Sequence, residues 1–162
     1  MRAQTANGGP AASSAHSEAA LRKAMHESLR GGTVVVLASV APGGAASTAL
    51  CSWIVAKGPQ RLALALDKRS SAYGSIVAGS RFVALEVMAD GVLLSIRGRA
   101  EIAQETMSAP PFPCALVCVD VVEIRDHMLE GLEFHGPRYV FSDEKGHRAG
   151  IERRIFEELE QA

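Results

Sequence analysis

Residues 62–76 read LALALDKRSSAYGSI, and within them a strand pattern gives way to a helix pattern. Large and small apolar residues alternate with period two from Leu62 to Leu66, as on a strand with one bulky and one nearly flat side. The alternation stops at Asp67, where two cations (Lys68, Arg69) and two hydroxyls (Ser70, Ser71) stand together. Tyr73, Ile76 and Val77 then recur at helical spacing, which predicts a short helix over about 70–78. The first turn of a helix leaves backbone N–H groups without partners, and its dipole favours negative charge there. The junction is therefore a candidate phosphate seat, although Ser70 would serve equally as an ordinary N-cap. The flat alanine side would let a second backbone, or a planar ring, come close.

The flanking segments carry mostly β patterns. Upstream, TVVVLASVA (33–41), the turn PGG and STALCSWIVA (47–56) predict a hairpin, and KGPQ turns the chain into the Leu/Ala strand. Before these, Ser17 is a plausible N-cap for an amphipathic helix with Leu21, Met25 and Leu29 on one face, ended by Gly31 and Gly32. Residues 1–16 are rich in Ala, Gly and Ser without the apolar segment of a secretory signal, and are expected to be a disordered tail. Downstream, RFVALEVM (81–88) and VLLSIRGRAEIA (92–103) flank the tight turn ADG as a second hairpin. CALVCVDVVEI (114–124) is the longest strand candidate. RYVFS (138–142) reads as a short strand, DEKG as a turn, and Ile151, Ile155 and Leu159 mark a closing helix.

The expectation is a mainly β single domain over 17–162: a six-stranded, mostly antiparallel barrel with N- and C-terminal helices and one short helix inserted midway. From Cys114 to Val122 every residue but Asp120 is apolar. Such a strand has one face inside the barrel and the other against a helix or a second subunit.

The totals limit the function. With 48% apolar and 22% charged residues in 162, the chain has the composition of a globular domain. A net charge of −1 gives no electrostatic footprint for nucleic acid or an anionic membrane, so any anion site must be local. No apolar run reaches the roughly 18–20 residues of a membrane span. Cys51, Cys114 and Cys118 form no CxxC, and Cys114 and Cys118 would share a strand face too far apart to bridge. They read as buried thiols of a reducing compartment, which points to a cytoplasmic location.

From about Thr33 to Ala103 the order of elements resembles the FMN-binding split barrel, and in particular the pyridoxamine 5'-phosphate oxidase-like family. The hairpin ending in SWIVA, the junction LALALDKRSSAYGSI, the strand GSRFVALEV and the segment IRGRAE carry the likeness. The resemblance implies a homodimer with FMN at the subunit interface, its phosphate near the helix after the Leu/Ala strand, and a small-molecule substrate. The family's phosphate-contacting serine falls on Ser70, and its neighbouring basic positions fall on Ser71 and Ala72. Lys68 and Arg69 could supply charge from the other side of Ser70. A glutamine that the oxidases place near the flavin falls at about Leu93, and only GPRY, around Arg138, faintly resembles their C-terminal arginine motif. These departures argue against pyridoxamine phosphate oxidase activity itself. STALCSW is similar to the hydroxyl-rich strand of the flavin reductase-like branch, which makes Thr48 and Ser52, four apart, candidate flavin contacts on one strand face, with Cys51 on the other.

Other residues have both a functional and an ordinary reading. Trp53 could stack on a ring or pack in the core. Arg97 and Arg99 share a strand face near Arg81 and could reach an anion, or be solvated. His127 and His135 fit no metal-ligand spacing. A flavin enzyme needs no catalytic triad, because the cofactor carries the redox chemistry. The leading expectation is a flavin-dependent oxidoreductase. The alternatives are a split barrel without flavin that acts as a binding or structural dimer, or one that holds haem, with His127 or His135 as axial ligand, or a deazaflavin.

Overall fold

The computed structural model describes residues 11–31, 33–137 and 139–162. Seven strands form one sheet: β1 (Val35–Val40), β2 (Ala46–Cys51), β3 (Ile54–Gly58), β4 (Arg61–Asp67), β5 (Phe82–Ala89), β6 (Val92–Gln104) and β7 (Cys114–Asp126). Their order is β2-β1-β5-β6-β7-β4-β3, with every neighbouring pair antiparallel. Three helices accompany the sheet: α1 (Ala11–Ser28), α2 (Ser71–Val77) and α3 (Arg148–Gln161).

The strand count is seven rather than six because STALCSWIVA is not one strand. Its first half pairs with β1 and its second half with β4, at opposite ends of the strand order. The chain crosses between those edges at Ser52 and Trp53. Since Cys51 and Ile54 lie three residues apart, the sheet must curl until its two edges approach, which makes it a barrel with a split. The bulges in β6, at Arg97/Gly98 and Ile102/Gln104, supply bends in the long β6–β7 ladder.

Two further expectations change. The first helix begins at Ala11, so Ser17 lies within it rather than capping it, as the helix-favouring alanines around it allow. The part of the expected tail before Ala11 lies outside the described residues. RYVFS forms no strand: positions 139–141 have no regular structure, and Arg138 lies outside the described residues.

Two apolar clusters account for the doubly apolar strands. The main one lies within the curl of the sheet, where Met25 of α1 and Leu29, just beyond its end, join Leu37, Leu64, Leu85, Ile96 and Val119. The second lies on the other face of β4 and β7, where Ala63, Ala65, Cys114, Leu116 and Cys118 meet Ile155 and Leu159 of α3. The flat side of the Leu/Ala strand thus receives a helix, not a ring. Small side chains there let α3 pack close to the sheet.

Candidate functional site

At the β4–α2 junction the predicted residues form a self-contained polar network. Ser70 caps α2: its hydroxyl accepts from Tyr73 N–H (3.2 Å) and donates to the Asp67 carbonyl (2.7 Å). Asp67 Oδ1 accepts from the Arg69 backbone N–H (2.8 Å), and the Arg69 guanidinium pairs with the same carboxylate, Nη2 to Oδ2 at 2.7 Å. That pairing holds the Asp67 carboxyl below the usual carboxylate range. Lys68 Nζ donates to the Glu105 carbonyl (3.0 Å) and lies 5.5 Å from the Tyr73 ring centroid, while Tyr73 Oη donates to the Glu105 carboxylate (3.0 Å). Both cations are therefore engaged within the chain. Ala72, where the resemblance places a basic residue, is fully buried in the main core.

Ser71 meets a hydroxyl that the sequence reading passed over. Its Oγ lies 2.6 Å from Ser47 Oγ, which ties α2 to β2. Ser47, Ala49 and Cys51 occupy one side of β2, and Thr48 and Leu50 occupy the other, exposed side. Because β2 ends at Cys51, Thr48 and Ser52 do not share a strand face, and Cys51 stands beside Ser52 in one cavity wall. Period two along β2, counted from buried Cys51, was the available signal for Ser47.

Two adjoining cavities share the wall Leu50, Cys51, Ser52, Trp53 and Phe112, so they form one trough. The smaller, about 320 Å³, runs to Ala65, Asp67 and Ser70 at the start of α2. The larger, about 710 Å³, runs to Tyr139, Phe141 and the first turns of α3. Trp53 and Phe112 stack at 5.5 Å between centroids, and the Arg69 guanidinium lies 5.2 Å from the Phe112 centroid. Glu152 Oε1 accepts from Trp53 Nε1 (3.1 Å) and from Tyr139 Oη (2.5 Å). Burial, reinforced by the Glu152 carboxylate and opposed by Ser52, pushes the Tyr139 hydroxyl up to about 12. Burial pushes the Cys51 thiol up to about 11, which leaves it protonated and unreactive at neutral pH. The trough is thus an apolar, aromatic slot with the Ser70 hydroxyl and the half-buried Asp67 carboxylate at one end and the half-buried Glu152 carboxylate at the other.

The remaining candidates lie elsewhere. Arg97 pairs with Glu123 at 3.3 Å, and Arg99 lies over the Phe82 ring at 4.8 Å. Arg81 and His135 are exposed and Leu93 is half-buried. His127 Nε2 lies 2.8 Å from Ser95 Oγ, which itself donates to Glu86. Among the described residues, no group of three or more His, Cys, Asp or Glu is placed to hold a metal ion, and no helix is long and apolar enough to cross a membrane.

No protein-family model matches the chain, and no curated protein matches it by sequence. Solved structures do match. Group A Streptococcus HupZ superposes with a TM-score of 0.55 at 12% identity, over 70% of this chain and 98% of that one. An FMN-binding protein from Syntrophomonas wolfei gives 0.53 at 15%, over 74% and 96%. An F420 reductase gives 0.52 at 19%, over 62% and 94%. At these identities the likeness establishes the fold, which is the split barrel expected from the sequence.

Proposed function

We propose that this chain, a split barrel by its fold, binds a flavin-type cofactor, FMN in the first instance, and acts as a cytoplasmic, homodimeric oxidoreductase on a small-molecule substrate. The trough carries this reading. Its aromatic and apolar wall suits a planar tricyclic ring, and its α2 end offers the Ser70 hydroxyl, with the Asp67 carboxylate beside it held by Arg69, where a phosphate would lie. Ser70 and Ser71, with Ser47 beside them, would face the phosphate. Lys68 and Arg69 would meet it by exchanging Glu105 and Asp67 for a phosphate oxygen. Ser52 would lie along the ring, and Thr48, on the exposed side of β2, would contact a cofactor shared with a second protomer.

When bound, such a group accepts or delivers an electron pair. The chain's own part is to hold the ring edge against Leu50 and Trp53, keep water from its face with Phe112, and present a second ligand from the α3 end. A deazaflavin has a ring of similar shape and would use the same wall. Haem fits less well, because neither His127 nor His135 lines the trough. A dimer without flavin is the second reading, favoured by the buried Ala72 and the internally paired cations.

An FMN titration tests the proposal, followed by flavin fluorescence and by emission from Trp53, the chain's one tryptophan. Saturable quenching in both signals is expected. The double variant Ser70→Ala, Arg69→Ala should weaken it about tenfold or more while circular dichroism stays native. A folded protein that shows no saturation at tens of micromolar FMN would overturn the flavin reading.

A further inference from the structure

The α3 end of the trough has chemistry of its own. Among the described residues, four aromatic side chains line it, Trp53, Phe112, Tyr139 and Phe141, and Glu152 is its one lining carboxylate. Among the described residues, both hydrogen bonds to Glu152 come from neutral donors and fall on Oε1. They orient the carboxylate without cancelling its charge, and they leave Oε2 available. Among the described residues, two basic ones, His147 and Arg148, also line this cavity, but both are exposed whereas Glu152 is half-buried. A charge with less water around it acts more strongly on a ligand than one screened by solvent. Aromatic faces attract cations through their quadrupoles, and the attraction grows as the cation loses water.

We propose that this end of the trough is a binding site for an organic cation, a protonated amine or quaternary ammonium on an apolar or aromatic body. The ammonium would meet Glu152 Oε2, and the apolar body would lie against Tyr139 and Phe141 at the α3 end. As the substrate end of a flavin-bearing trough its role rests on the reading above, but its ligand chemistry does not. It would make amines the substrate class.

The test uses three probes of one shape at pH 7: 4-phenylbutylammonium, 4-phenylbutanol and 4-phenylbutyrate. Binding is read from Trp53 emission, with and without saturating FMN. The cation should bind about tenfold or more tightly than the alcohol, and the carboxylate most weakly. Glu152→Gln retains an oxygen acceptor for Trp53 and Tyr139 while removing the charge, so it should bring cation and alcohol to within about threefold. Equal binding of the three probes, preference for the carboxylate, or a cation preference that survives in Glu152→Gln would each overturn the proposal. FMN binding without cation preference would sink the amine site alone, whereas cation preference without FMN binding would sink the flavin reading and leave the site standing.

Discussion

Gly98 stands in β6 at the bulge opposite β7, where a Cβ would come within 2.4 Å of Val119 Cγ1 and 2.6 Å of the Asp120 carbonyl oxygen. The carbonyl is ladder backbone and cannot move aside, so Gly98→Ala should cost about 2–3 kcal/mol, seen as a lower urea midpoint. An unchanged midpoint would mean that the two strands are further apart than described. Ser70→Ala should cost about 1 kcal/mol through loss of the α2 cap, whether or not a phosphate also uses that hydroxyl. At this scale the sequence showed which residues were unusual but not who their partners are. IRGRAE marks Gly98 as part of a pattern, yet Val119, the residue it makes room for, lies in another strand.

α3 is held by apolar burial and by polar ties at several points. Ile155 and Leu159 are fully buried beneath it, Glu158 accepts from the backbone of Ser108 and Ala109 (2.9 and 2.8 Å), and Lys57 Nζ donates to the carbonyls of Leu159 and Glu160 near its end. Leu159→Ala should cost about 2–4 kcal/mol. Because Glu152 on the same helix holds Trp53, the loss should also speed amide exchange across 148–161 and red-shift Trp53 emission, both measurable under native conditions. The helix itself was legible from the spacing of Ile151, Ile155 and Leu159. Its landing place on the Ala63/Ala65 side of β4 was only half legible, since a flat face announces a close neighbour without naming it. The division of STALCSWIVA left no local trace, because both halves are good strand sequence and only the sheet order separates them. The amine site was invisible for the same kind of reason: residues 53, 112, 139 and 152 meet only through the fold.

For the molecule as a whole, two buried thiols and one partly shielded phenol respond to alkali in the same direction. Burial pushes the thiols of Cys51 and Cys114 up to about 11 and the hydroxyl of Tyr139 up to about 12. In the unfolded chain these groups lose protons at their ordinary, lower values, so rising pH favours unfolding. Their contribution is intact below about pH 9, and it disappears as pH climbs through the raised values near 11 and 12. Melting temperature should therefore fall steadily above pH 9, and Cys51→Ala should flatten part of that slope. A melting curve indifferent to pH between 9 and 11 would show that the thiols are not shielded from water.

The short crossing from β2 to β3 also acts as a ruler. From Cys51 to Ile54 the chain makes three Cα-to-Cα steps, at most about 11 Å in all, so at that corner the slit cannot gape beyond this length. Nothing in the pairing ties β2 to β3 at their far ends, Ala46 and Gly58, so the slit can spread there like a fan with a fixed rivet. For the proposed ligands, thickness rather than length would then be the dimension on which they are sorted: flat molecules would slide up to the rivet, and bulky ones would stop at the open edge.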